Sequence, residues 1–326
     1  MRKSLRLNWI AFTASILLFS AILYFLSRKQ GLDAFVDVLR RTGGAFFCAA
    51  VLLMLLIQGI GAYRVKIIMG AEALPSTSYR SLVRIQLISQ FIAYGAPISA
   101  LSDLAKAAMI KLRFDLPLGQ SIRIVLYERI CGALGAIVIG LLTTIWQLAT
   151  DTPRLLVNVQ FAVWAVGLMF GATILVIGEL HLTSRNTMLD RIARAVTGLA
   201  AILRHRTMGL KLLVVSLLQL LGFSAIFLIL AQGMHIPVSR LHVVLFIPFI
   251  FLISSLPIFY QGWGGREAVI MLTIGKIGGL LDAQSIALSV AFGIVVAVSS
   301  FPGAVFWLMR PSMRKSMRLA EAEGQT

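Results

Sequence analysis

Apolar runs long enough to cross a bilayer recur along this chain, and they leave few structures open to it. Six of them, at about 7–27, 44–63, 125–149, 157–178, 209–231 and 284–309, approach the ~20 residues a helix needs to span the hydrocarbon core. In lipid no water satisfies the backbone N–H and C=O groups, so runs of this length must close their hydrogen bonds internally, as helices. With 59% hydrophobic and only 13% charged residues, a soluble domain of 326 residues would lack the charged surface to face water. The expected fold is an all-α polytopic membrane protein, one integral membrane domain over 1–326 with about six full transmembrane helices. The first run follows Arg2, Lys3 and Arg6 and lacks a small-residue cleavage site, so it reads as an uncleaved span rather than a signal peptide.

Two further stretches are apolar but broken. Residues 82–113 are interrupted at Gly95-Ala96-Pro97, and residues 243–280 at Pro257 and again from Gly262 to Gly265. Both run from apolar residues into Pro-Ile, then through a charged cluster to Gln-Ser-Ile, at Gln120 to Ile122 and Gln284 to Ile286. Helices interrupted in corresponding positions of two halves mark the binding site of many transporters. Each stretch is therefore expected to be a re-entrant hairpin, with Pro97 and Pro257 as the hairpin breaks.

Loop charge tests that reading, because cytoplasmic loops carry the excess of Lys and Arg. With both stretches returning to the side they leave, the 179–211 loop is cytoplasmic with Arg185, Arg191, Arg194, Arg204, Arg206 and Lys211. The tail is cytoplasmic with Arg310, Arg314, Lys315 and Arg318, whereas the loops near 150–156 and 232–242 hold only Arg154 and Arg240. Arg28, Lys29, Arg40 and Arg41 in the first outer loop run against the rule. The resulting organisation is two halves, about 1–150 and 151–310, related as a candidate inverted repeat. A short basic cytoplasmic tail covers 311–326. Between the halves, about 184–206, apolar residues Met188, Ile192, Val196, Leu199 and Ile202 recur at helical spacing, which predicts an amphipathic helix on the cytoplasmic membrane surface. The expected location is a prokaryotic cytoplasmic (inner) membrane, with both termini cytoplasmic.

The net charge of +17 would suggest nucleic acid in a soluble protein, but here the basic residues sit at span ends and in loops, so no nucleic-acid partner is expected. Cys48 and Cys131 fall in apolar runs and read as small buried hydrophobes. The four histidines, His181, His205, His235 and His242, have no ligand spacing, so neither a metal nor another cofactor is expected.

Charged groups within spans are costly, about 2.5–3.5 kcal/mol each on insertion scales, so those present are candidates for function. Asp103 and Lys106 share a helix face after the Pro97 break, where a cation beside free backbone N–H groups suits an anionic headgroup. Glu128 and Arg129 are adjacent and so point different ways; each needs its own partner, with Lys106 expected for Glu128. Gly262, Gly264 and Gly265 permit a tight turn before Arg266 and Glu267, which places Arg266 to hold a phosphate and Glu267 to hold Arg266 or a base of the first hairpin. Gln86, Gln90 and Tyr94, with Arg84 nearby, form a stripe expected to line the interior; helix–helix hydrogen bonding is the competing role. Gln58 and Gln219 occupy matching positions in the two halves. Arg64 and Lys66 read as interface anchors at a span end.

These motifs resemble the transmembrane region of lysylphosphatidylglycerol synthases, a region shared with stand-alone flippase-like membrane proteins. The resemblance covers about residues 8 to 309. It rests on Pro97, Ser102-Asp103, Lys106 and Glu128-Arg129 in the first half, and on Pro257 and Gly262-Trp263-Gly264-Gly265-Arg266-Glu267-Ala268 in the second. Ser102 stands where the family has glycine and Lys106 where it has arginine, so the bidentate fork is lost there. The resemblance implies translocation of an anionic or polyprenyl-linked lipid, with membrane lipids as partners and a neighbouring lipid-modifying enzyme as a further partner. The alternative is a membrane-embedded lipid-modifying enzyme or an accessory subunit of one. The soluble aminoacyl-transfer domain of the bifunctional members is not in this sequence, and no His, Ser or Cys lies beside a convincing base, so enzymatic activity is not expected.

Overall fold

The computed structural model describes residues 36–37, 40–72, 74, 77–95, 99–149, 153–179, 187–255 and 262–309. The run at 7–27, both Pro-Ile pairs and the 311–326 tail lie outside the described residues, so the breaks expected at Pro97 and Pro257 do too. The described chain is all-helical. Its helices are α1 (Gly44–Ala71), α2 (Tyr79–Gly95), α3 (Ser99–Phe114), α4 (Leu118–Gln147), α5 (Arg154–Glu179), α6 (Thr187–Arg204), α7 (Arg206–Gly233), α8 (Arg240–Ser254) and α9, which is Gly265–Ile270 continued by a π turn at Met271–Gly275 and by Lys276–Gly278. The last is α10 (Asp282–Leu308).

Helices α1, α4, α5, α7 and α10 are long and apolar enough to cross a membrane, and they coincide with five of the six expected runs. The chain is thus a multi-pass membrane protein. Two spans are longer than the apolar pattern implied. α1 continues to Ala71, past Arg64 and Lys66, and α4 starts at Leu118 rather than near 125. Arg64, which reads as a span end, is instead an interior helix residue with a buried partner, Glu128.

Two apolar clusters divide the bundle along its length. One gathers Met54 and Ile57 of α1, Ile226 and Leu230 of α7, Phe246 and Ile250 of α8, Ile270 and Ile274 of α9 and Val295 of α10. The other gathers Val65 and Ile68 of α1, Leu82 and Ile85 of α2, Met109 and Ile110 of α3, Ile124 of α4, Leu199 of α6 and Leu212 of α7, with Phe306 and Trp307 of α10 against it. Helix α1 therefore runs from the first cluster to the second and α7 from the second to the first. Helices α2 and α3 belong to the second cluster, whereas α8 and α9 belong to the first.

The packing has an internal correspondence. α1 and α7 are both 28 residues long and pack along each other. α2 packs on α3, α1 and α10, as α8 packs on α9, α7 and α4. α3 lies on α4 as α9 lies on α10. α1 and α7 run in opposite directions between the two clusters, as do α4 and α10, and α2 packs on α10 as α8 packs on α4.

Close approach at these crossings needs small residues. A Cβ on Gly303 of α10 would overlap the Leu87 carbonyl of α2, so this crossing is tight enough to exclude any side chain. The linker helix α6 departs from its expected placement. Leu199 and Ile202 are buried in the second cluster, and the Tyr127 hydroxyl of α4 donates to the Ala195 carbonyl at 2.7 Å. From Leu199 to Ile202 its apolar side is covered by protein instead of lying on lipid, because α4, α5 and α7 offer a ready apolar wall. Cys131 is buried as expected; Cys48 is exposed on α1.

Candidate functional site

Buried polar residues of α1, α2, α3, α4 and α7 meet in one network where the two apolar clusters join. Lys106 of α3 forms an ion pair and hydrogen bond with Glu128 Oε2 of α4, both side chains being almost wholly buried. The other carboxylate oxygen, Oε1, lies 3.7 Å from Nη2 of Arg64 on α1. Arg64 Nη1 donates to Gln219 Oε1 of α7 at 2.6 Å, which ties the two halves together. Lys106 also donates to Gln86 Oε1 of α2 at 2.5 Å, and Gln86 Nε2 donates to Gln58 Oε1 of α1 at 2.9 Å. Space for the network comes from glycine. A Cβ on Gly132 would sit 3.0 Å from Arg64 Nη1, and one on Gly61 3.2 Å from Gln219 Nε2.

Arg64 and Lys106 are two buried cations against the single carboxylate of Glu128, so the network carries an excess positive charge. Among the described residues, Arg64 Nε has no hydrogen-bond partner despite its burial. A buried donor left unmade costs about 1–3 kcal/mol, more when charged, so an acceptor arriving here is favoured.

A second rung lies beside the first. Arg129 Nη2 and Nε donate to Asp103 Oδ1 at 2.8 and 3.2 Å. Its side chains are 52% and 35% exposed, unlike those of the Lys106–Glu128 rung. Arg129 sits roughly 16 Å along the 30-residue α4 at 1.5 Å per residue, about half the thickness of a hydrocarbon core. The four residues expected in the first tip thus pair across α3 and α4, and neither Asp103 nor Lys106 pairs within its own helix.

The second tip is organised differently. Gly264, with φ of +83°, is the N-cap of α9, and its N–H donates to Glu267 Oε2 at 2.6 Å. Gly262 also has positive φ, +78°. These are conformations that favour glycine, which accounts for two glycines of the motif. Gly265 is the buried first residue of α9. Arg266 donates through Nη2 to Glu267 Oε1 at 3.0 Å and through Nε to Ser289 Oγ of α10 at 2.9 Å. Its guanidinium lies over the rings of Trp263 and Phe292, 5.0 and 5.4 Å from their centroids. A Cβ on Gly293 would sit 2.7 Å from Arg266 Nη2, so α10 is shaped to receive this side chain. The capping amide is already satisfied by Glu267, and both charges are buried.

The Gln86 stripe divides. Gln86 is central to the network, Gln90 and Tyr94 are half-buried further along α2, and Arg84 is exposed with its guanidinium 5.6 Å over the Phe306 ring. Arg84 is therefore outside the network. Sequence reasoning missed Arg64, whose signal was its position inside an apolar run that continues to Ala71. It also left Gln58 and Gln219 as an echo between halves and did not single out Ser289. The shift that carries Gln58 to Gln219 also carries Lys106 to Glu267 and Glu128 to Ser289. Both of the latter pairs, Lys106 with Glu128 and Glu267 with Ser289, are in hydrogen-bond contact. Among the described residues, no group of three or more His, Cys, Asp or Glu is placed to hold a metal ion.

The family model described as Lysylphosphatidylglycerol synthase TM region matches residues 12–303. No curated protein and no solved structure matches the chain.

Proposed function

We propose movement of a lipid headgroup through the membrane as the function, from the premise that the chain belongs to the family of the lysylphosphatidylglycerol synthase TM region. Membership makes it a membrane protein related to lipid modification or flipping. The observation that carries the finer reading is the two-rung ladder between α3 and α4, exposed at Arg129–Asp103 and buried at Lys106–Glu128–Arg64. Charged groups at this depth face protein or a watery cavity rather than lipid. An exposed ion pair a little over a third of the way along α4 therefore supports a polar vestibule beside the bundle.

The substrate is a lipid with an anionic headgroup, a phospholipid or a polyprenyl-linked lipid. Three cations, Arg64, Lys106 and Arg129, face two carboxylates, Asp103 and Glu128. One phosphate would neutralise the remainder. In the resting ladder Glu128 occupies the cations; an arriving phosphate competes for Lys106 and for the free Nε of Arg64 while its acyl chains stay in lipid. The α2–α3 and α8–α9 pairs are read as re-entrant hairpins from opposite faces, and rocking of the halves about the α1–α7 contact exposes the ladder to each side in turn. No step of this needs bond making, so the protein is a transporter rather than an enzyme. It is assigned to a prokaryotic cytoplasmic membrane with both termini inside, where it would work beside the enzyme that makes the lipid.

The test is reconstitution into liposomes with fluorescent phosphatidylglycerol and a membrane-impermeant quencher. Arg64→Gln and Lys106→Gln should each slow the accessible fraction's exchange by about tenfold or more, as expected for loss of one charge-assisted contact. Unchanged exchange in both variants, at wild-type folding, would rule the reading out.

A further inference from the structure

A separate cleft of about 250 Å³ lies at the far end of the second apolar cluster, between the start of α2, the end of α3 and the end of α10. It is lined by Ser81, Arg84, Ile85, Ile88, Arg113, Phe306 and Met309. Its composition is amphipathic. Ile85 and Ile88 are buried and form an apolar floor with Phe306, whereas Arg84 and Arg113 are exposed at the rim. Both arginines are held in place. Arg84 stacks over Phe306, and Arg113 Nε donates to Ser81 Oγ at 3.1 Å. That bond uses one of the five N–H donors of Arg113. Among the described residues, those lining the cleft include no carboxylate.

We infer that this cleft is a binding site for one anionic phospholipid, distinct from the ladder on α3 and α4. The two guanidiniums take the phosphodiester, for which planar forked donors are well suited. An acyl chain lies along Ile85, Ile88 and Phe306. The three helix ends that meet here coincide with the end of the bundle where Arg80, Lys111, Arg123, Arg204, Arg206 and Lys211 cluster along the ends of α2, α3, α4, α6 and α7, the end that faces anionic headgroups if it is cytoplasmic. A lipid seated there bridges α2, α3 and α10, so it holds the first short pair against the span of the other half. Gln86, which contacts Lys106, lies two residues from Arg84 on α2, so the bound lipid also steadies the helix that carries the network's glutamine.

The site rests on the membrane fold and not on the transport reading. The test uses the full chain in detergent, with native mass spectrometry and thermal unfolding after adding phosphatidylglycerol, phosphatidylcholine or inorganic phosphate. Phosphatidylglycerol should remain bound and raise the unfolding midpoint; the other two should not. Arg84→Gln with Arg113→Gln should weaken phosphatidylglycerol binding by about tenfold or more, since each basic residue near a membrane surface contributes on the order of that interaction. Arg240→Gln, at the start of α8 and outside the cleft, should leave it unchanged. A photoreactive phosphatidylglycerol should label the peptides containing Ile88 and Phe306. Equal binding by the double variant, an equal effect of inorganic phosphate, or labelling confined to other helices would overturn the site.

Discussion

Glu128 touches two cations, and that imbalance determines how substitutions at the ladder behave. Glu128→Gln leaves Lys106 and Arg64 buried without their carboxylate, so it should lower stability by about 3–5 kcal/mol in thermal or denaturant unfolding. Replacing both members of the pair, Lys106→Met with Glu128→Met, should recover only part of that loss, because Lys106 no longer leaves a charge behind but Arg64 stays buried without its carboxylate. The same double variant should be inactive in the liposome assay, so stability and transport separate. The Lys106–Glu128 contact was legible in the sequence because neighbours on a helix must look for partners elsewhere. Arg64 was not, because a charge after an apolar run reads as the end of a span; only its contacts with Glu128 and Gln219 explain how α1 continues past it.

At the scale of helices, the long spans were readable and their company was not. Hydropathy marks α1, α4, α5, α7 and α10 because twenty consecutive apolar residues have few other uses. It does not say what covers an amphipathic side. The apolar stripe of α6 suits lipid and protein equally, and tertiary packing decided for protein. Leu199→Asp should therefore destabilise the fold by about 3 kcal/mol or more through a buried uncompensated charge, whereas a helix resting on lipid would lose membrane affinity and keep its melting point. The α2–α10 crossing makes a similar demand. Gly303→Ala should cost about 1–3 kcal/mol in unfolding experiments, because the obstacle is the Leu87 backbone, which cannot rotate away as a side chain can.

Over the whole molecule the two halves share a packing plan but not a chemistry. Where the first half sets Lys106 against Glu128, the second sets Glu267 against Ser289 and turns Arg266 in between Trp263 and Phe292. The echo in the sequence was readable as Pro-Ile and Gln-Ser-Ile; the difference was not, because it depends on which side chains the α3–α4 and α9–α10 contacts bring together. The exchange of supports, α2 on α10 and α8 on α4, has an implication for how such a chain could have arisen. A half by itself would leave its short pair without a wall and its long span without a cover. It could complete itself only by meeting a second copy inserted upside down. Among the described residues, this packing has the pattern that an antiparallel pair of such halves would make.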